Sequence, residues 1–108
     1  MSISPADRLA ALERFVAADA SDSFARYALA MEYRAQGSMD RAITQLEELR
    51  SRDSTYLPLY YQLGEMYAGE NRRDEARHVY TAGIAIARQA NETHTLEELE
   101  EAAEALGK

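Results

Sequence analysis

Apolar residues along this chain recur every three or four positions. Leu9, Leu12, Phe15 and Val16 form one such set, Ala42, Ile43, Leu46 and Leu49 another, and Leu96, Leu99, Ala103 and Leu106 a third. At 3.6 residues per turn, each set falls on one face of a helix and leaves the opposite face to charged side chains. No segment alternates apolar and polar residues for long enough to make a strand, and proline occurs only at positions 5 and 58. Helices therefore carry the whole fold.

Local chemistry suggests where these helices begin and end. In Ser4-Pro5-Ala6-Asp7, Ser4 can accept from the amide of Asp7, Pro5 needs no amide partner, and Asp7 suits the positive helix end, so a first helix is expected from residue 4, fading near Asp19. Asp22 or Ser21 caps a second helix running to Gln36, with Gly37 placed to take the left-handed conformation that closes it. Ser38 is the expected cap of a third. A fourth begins at Thr55, with Pro58 tolerated in its first turn. Asn71 stands where Gly37 stood, and asparagine is the next best residue for that geometry. A fifth helix is expected from about Arg72 to Ala90, and Thr95-Leu96-Glu97-Glu98 reads as a capping box opening a sixth. Glu97, Glu98, Glu100, Glu101 and Glu104 would form that last helix's solvated back.

The stretch YALAMEYRAQGSMDRA, from Tyr27, returns 34 residues later as YQLGEMYAGENRRDEA, from Tyr61. Tyr27 matches Tyr61, Leu29 matches Leu63, Tyr33 matches Tyr67, Asp40 matches Asp74 and Ala42 matches Ala76. A helix pair recurring at this period marks a helical solenoid. The pattern resembles the tetratricopeptide repeat family, whose unit is an antiparallel pair of helices, A and B. Leu29-Ala30 and Leu63-Gly64 fill its leucine and small-residue pair, Tyr33 and Tyr67 its aromatic site, and Ala42 and Ala76 its small site in helix B. Further along helix B, Leu46 and Tyr80 take the large site and Leu49 and Gly83 the second small one; Tyr60 holds the large site of helix A, where the first repeat has Arg26. Small residues at these places let two helices approach, so Gly64 should admit bulk of the Tyr80 kind.

The resemblance implies an all-α fold, a right-handed superhelix of antiparallel helix pairs with about six helices. It implies one domain over residues 1–108, with an N-terminal helix at 4–19, repeats at 23–56 and 57–90, and a capping helix at 95–107. It further implies a non-enzymatic module whose concave groove takes a peptide or helix of a partner protein. The family's ligand-contacting places fall on Phe24, Tyr27, Met31, Arg34 and Ala35 in the first repeat, and on Pro58, Tyr61, Glu65, Ala68 and Gly69 in the second. Phe24, Tyr27, Met31, Arg34, Tyr61 and Glu65 are the candidate contacts among them. Tyrosine and methionine suit an apolar or helical segment, whereas the lysines and asparagines that grip a peptide carboxylate in some members are missing at these places. The alternatives are a self-association unit forming a homodimer and a regulatory subunit of an enzyme.

Composition narrows the partners. The chain has 108 residues, no cysteine, and 19 acidic against 12 basic side chains, a net charge of -7. Disulfides and thiol chemistry are excluded, and the average field repels nucleic acid and anionic membrane. The opening MSISPADRL lacks a basic start and an apolar run, so a cytoplasmic location is expected. No P-loop, GxSxG or GxGxxG occurs, and the serines sit where helix capping explains them, so no catalytic set and no cofactor is expected. His78 and His94 lack the spacing of a metal pair, and the glutamates near Glu97 lack an EF-hand glycine, so no metal site is expected either. Arg72-Arg73 invites a phosphate but reads as an exposed turn.

Overall fold

The structure, a computed structural model, describes residues 2–107. Its helices are α1 (Pro5–Ala18), α2 (Ser23–Ala35), α3 (Met39–Arg52), α4 (Pro58–Gly69), α5 (Arg73–Ala90) and α6 (Thr93–Leu106), with no strand among the described residues. The fold is all-α. The chain divides into two units, Met1–Tyr56 and Leu57–Lys108.

In the first unit, Ser4 Oγ accepts from the Asp7 amide at 3.1 Å and Asp22 Oδ1 accepts from the Ala25 amide at 2.9 Å, fixing the starts of α1 and α2. The core lies between α2 and α3, where Ala25, Leu29, Ala30 and Tyr33 of one and Ala42, Ile43, Leu46 and Leu49 of the other are buried. Each leucine so placed contributes roughly 1.5–3 kcal/mol. Arg26 is buried too, against the expectation for a charged residue. It donates from Nη1 to Gln45 Oε1 at 2.9 Å and from Nη2 to the Ala20 carbonyl at 3.1 Å, which meets the need for partners that burial imposes.

The helix α1 packs on α2 but contributes no fully buried residue. Polar contacts hold it: Arg8 Nε donates to Glu32 Oε1 at 2.9 Å, Gln36 Nε2 to the Pro5 carbonyl at 3.0 Å, and the Tyr33 hydroxyl to Glu13 Oε2 at 3.1 Å. Phe15, expected in the apolar stripe, is instead 59% exposed. It directly precedes half-buried Val16, and adjacent helical residues point about 100° apart, so Val16 faces the neighbour and Phe15 does not.

In the second unit, α4 and α6 both pack on α5. Two glycines permit this. A Cβ built on Gly64 would overlap the ring of Tyr80, 2.6 Å from Cδ1, and one on Gly83 would stand 2.6 Å from Tyr60 Cβ and 3.1 Å from Leu99 Cδ1. Gly64 thus admits Tyr80 as the repeat pattern requires. Ala42 and Ala76 have 0% exposure.

One closing motif ends three helices. Gly37, Asn71 and Asn91 take φ of 81°, 62° and 57°. Around them the amides of Ser38, Arg72 and Glu92 reach back to the carbonyls of Tyr33, Tyr67 and Ala87 at 2.9, 2.8 and 3.0 Å, the paired-bond Schellman arrangement. The third of these corrects the expected start of α6. Asn91 turns the chain so sharply that α6 begins at Thr93 after Glu92, and Thr95 to Glu98 lie inside it without a side-chain cap. Ser38 likewise precedes α3 without making a side-chain cap bond. The helix expected from Thr55 starts at Pro58, because Asp53 gathers the preceding residues into a turn, accepting from Thr55 Oγ1 on Oδ1 and from the Tyr56 amide on its carbonyl.

Candidate functional site

Phe24, Tyr27, Met31 and Arg34 follow one another at helical spacing along α2, so the backbone sets them in a single row. Phe24 is 71% exposed, and the other three are half-buried. The Tyr27 ring leans on Tyr56, with centroids 5.6 Å apart and planes tilted by 47°. Burial, followed by the carboxylates of Asp53 and Asp22, pushes the Tyr56 phenol above its ordinary range.

Tyr61 and Glu65 lie one turn apart on α4, both half-buried. The Tyr61 hydroxyl donates to the Glu65 carboxylate, and that bond, followed by the charge of Glu65, burial, and the charges of Glu98 and Glu101, raises its pKa. These residues border a groove of about 310 Å³, completed by Ala102 and Ala105 of α6. Tyr80, whose ring packs on Gly64, is 2% exposed, and its phenol is pushed up to about 12 by burial and then by Glu65 and Tyr61.

The remaining charged candidates serve the fold. Arg72 grips Glu75, its Nε donating at 2.8 Å, and lies over the Tyr67 ring 4.6 Å from the centroid. Arg73 donates to the Leu106 carbonyl at the end of α6. His94 Nε2 stands 3.8 Å from Glu98 Oε1, and His78 is exposed. Among the described residues, no group of three His, Asp or Glu side chains could hold a metal ion, and no helix is long and apolar enough to cross a membrane.

The structure therefore sets Phe24, Tyr27, Met31 and Arg34 together in the first unit, and Tyr61 and Glu65 together in the second. Sequence reasoning missed Tyr56, which lies in the turn between repeats. Glu98 and Glu101, assigned to a solvated back, are exposed as expected, and the same two side chains border the groove. Their spacing with Ala102 and Ala105, at i, i+3, i+4 and i+7, was the available signal.

The tetratricopeptide repeat family model matches residues 57–90. No curated protein matches the chain. The crystal structure of a tetratricopeptide repeat domain protein from Salinibacter ruber is 37% identical, with a TM-score of 0.77, and the match covers 80% of this chain and 97% of that one. The type III secretion translocator chaperone SycD of Yersinia enterocolitica shares the fold at 16% identity, with a TM-score of 0.87 over 95% of this chain and 72% of its own. In complex with a peptide of the translocator YopD, the same chaperone matches with a TM-score of 0.86 at 16% identity, over 95% of this chain and 79% of its own. With a 34-residue repeat, glycine-lined helix crossings and a 37% identical relative matched over nearly its whole length, this chain belongs to the tetratricopeptide repeat family.

Proposed function

We propose that this chain is a non-enzymatic protein-interaction module that takes a peptide or helix of a partner protein. Phe24, Tyr27, Met31 and Arg34 on α2, and Tyr61 and Glu65 on α4, are its contact residues. The observation that carries this reading is the row on α2, where Phe24 is 71% exposed beside the half-buried Tyr27 and Met31. Aromatic and thioether side chains offer large adaptable contact area, and a helix face that shows an exposed Phe24 beside them suits a surface that is covered on binding. The complex of SycD with a peptide of YopD supports the reading, because it pairs the same fold with a peptide ligand.

The test is the double substitution Tyr27→Ala with Tyr61→Ala in the full chain. Aromatic hot spots contribute about 2 kcal/mol or more, so capture of the natural partner from cell extract should fall roughly thirtyfold while the far-ultraviolet circular dichroism stays helical. Normal capture by a folded double variant would remove these faces from consideration. Light scattering on the unmodified protein separates a partner module from a self-associating one, since the second would show a concentration-dependent dimer.

A further inference from the structure

We propose that the pocket between the start of α2 and the end of α3 binds a carboxylate, carried by an acidic side chain or by a chain terminus, and that Arg26 is the residue that grips it. The pocket, about 340 Å³, lies within the first unit, with Ser23, Arg26, Leu49, Arg52 and Asp53 in its wall. Arg26 leaves α2 about 200° around the helix from Phe24, so the site is separate from the row of Phe24, Tyr27 and Met31 and does not depend on it.

Two independent observations lead to it. The first comes from the second repeat, which serves as an internal control. At 34 residues beyond Ser23, Arg26, Arg52 and Asp53 stand Leu57, Tyr60, Ile86 and Ala87. Tyr60 and Ala87 are buried, and Gly83, the counterpart of Leu49, lies against Tyr60. The second repeat thus fills with aliphatic and aromatic groups a place that the first lines with charged and polar ones. The helix pair does not need a charge there, and a buried charge that breaks the repeat pattern at a cost in stability marks a functional place.

The second observation is the state of the guanidinium. Arg26 is 6% exposed, and its two hydrogen bonds go to neutral acceptors, Gln45 Oε1 and the Ala20 carbonyl. Among the described residues it forms no ion pair, and its Nε–H has no acceptor. No fully enclosed side-chain nitrogen or oxygen among those residues lacks a partner, so Nε is open, and the pocket is the space that Arg26 lines. The neighbouring carboxylates are committed elsewhere. Asp53 accepts from Ser23 Oγ at 2.6 Å and Thr55 Oγ1 at 3.3 Å, Asp22 from the Ala25 amide at 2.9 Å, and Asp19 from Ser21 Oγ at 2.6 Å. A buried charge without a counter-charge is costly, and an anion arriving from outside relieves that cost.

The chemistry selects a carboxylate. Its two oxygens match the planar fork of a guanidinium, while Asp53 in the same wall repels a doubly charged phosphate more strongly than a singly charged group. Arg52 is already held by Glu48 at 3.0 Å, which leaves Arg26 to take the ligand. The chain's net charge of -7 is screened beyond a Debye length of about 8 Å at physiological salt, so local groups set the preference of the pocket.

Amide chemical shifts of the isotope-labelled full chain test the proposal, with N-acetyl-glutamate amide as the side-chain probe and N-acetyl-alanine as the terminal one. N-acetyl-glutamine amide is the neutral control, sodium phosphate the doubly charged one, and sodium chloride holds the ionic strength constant. Saturable shifts at residues 20–26 and 49–53 are expected with the carboxylates and not with the glutamine probe, and the tighter carboxylate names the source. Arg26→Tyr, which gives the first repeat the residue of the second, should weaken binding roughly tenfold or more while the circular dichroism stays helical. Asp53→Asn keeps an acceptor for Ser23 and removes the opposing charge, so binding should tighten severalfold. Should Arg26→Tyr fail to fold, the melting midpoint of the unmodified chain decides, because the carboxylate probes should raise it and the glutamine probe should not. Shifts spread over exposed arginines such as Arg14 and Arg77, equal binding of the glutamine probe, phosphate binding as tightly as either carboxylate, or undiminished binding by a folded Arg26→Tyr variant would each overturn the site.

Discussion

Gly64 and Tyr80 decide how closely α4 and α5 approach, and both can be tested one atom at a time. In Gly64→Ala the new methyl would overlap a ring that is 2% exposed and has little room to swing, so a loss of roughly 1–3 kcal/mol is expected in chemical denaturation. Gly69→Ala is the control, because a Cβ there meets nothing within 4 Å, and alanine's better helix propensity should leave stability equal or higher. Equal effects of the two substitutions would refute the close crossing. Tyr80 adds a pH signature. Its phenol has a pKa of about 12 in the folded chain against an ordinary 10.0, so between those limits the unfolded chain loses the proton while the folded chain keeps it. Stability is therefore fully present below the lower value and is lost as pH rises toward the upper one, by about 2–3 kcal/mol in all. Tyr80→Phe should flatten that alkaline limb in urea titrations. A shallower slope should remain from Tyr33, Tyr56 and Tyr61, whose pKa values are also raised. An unchanged limb in the variant would show that the Tyr80 hydroxyl is hydrated in the folded protein.

At the scale of the element, α6 is the helix whose role depends most on its neighbours. Leu99 is fully buried against the backbone of Gly83, while Arg73 and Arg88 tie α5 to Leu106 and Glu100. Ending the chain before Thr93 would bare Gly83 and the side chain of Tyr60, and apolar surface uncovered in this way promotes association. The shortened protein should therefore show a larger mass in light scattering and a lower melting midpoint; a monomer of undiminished stability would make α6 an appendage. The same helix shows where the sequence stopped being legible. Gly37 and Asn71 were readable as helix ends because a left-handed residue at a repeated place leaves few choices. Asn91 had no counterpart, since the residue 34 positions earlier is Leu57, and without it the start of α6 was drawn to the capping pattern at Thr95. The crossings were readable because Gly64 and Gly83 answer to a repeat that fixes which large residues they meet. The row on α2 was readable from spacing, but the groove beside Tyr61 was not: Glu98 and Glu101 join it only through how α6 lies against α5, which periodicity does not determine.

For the molecule as a whole, the two units differ in how their helices are held. In the first, α2 and α3 supply every buried residue among those described, and α1 is attached by Arg8, Gln36 and the Tyr33–Glu13 bond over half-buried apolar contacts. In the second, all three helices enter the core: Leu59, Tyr60, Leu63, Met66 and Tyr67 from α4, Ala76, Val79, Tyr80 and Ala87 from α5, and Leu99 from α6. Exposed ion pairs contribute about 0–1 kcal/mol each, less than one buried leucine. Domains of this size have little stability in reserve, so the difference should show when the units are separated. Expressed alone, residues 57–108 should give a helical spectrum and a cooperative thermal transition. Residues 1–56 should melt at lower temperature with a broader transition, and raised salt should broaden it further by screening Arg8 from Glu32. The comparison is read from circular dichroism melts of both fragments in low and high salt. If residues 1–56 melted as sharply as residues 57–108 and ignored salt, the half-buried contacts of Leu9, Leu12 and Val16 would be holding α1, and its polar contacts would be incidental.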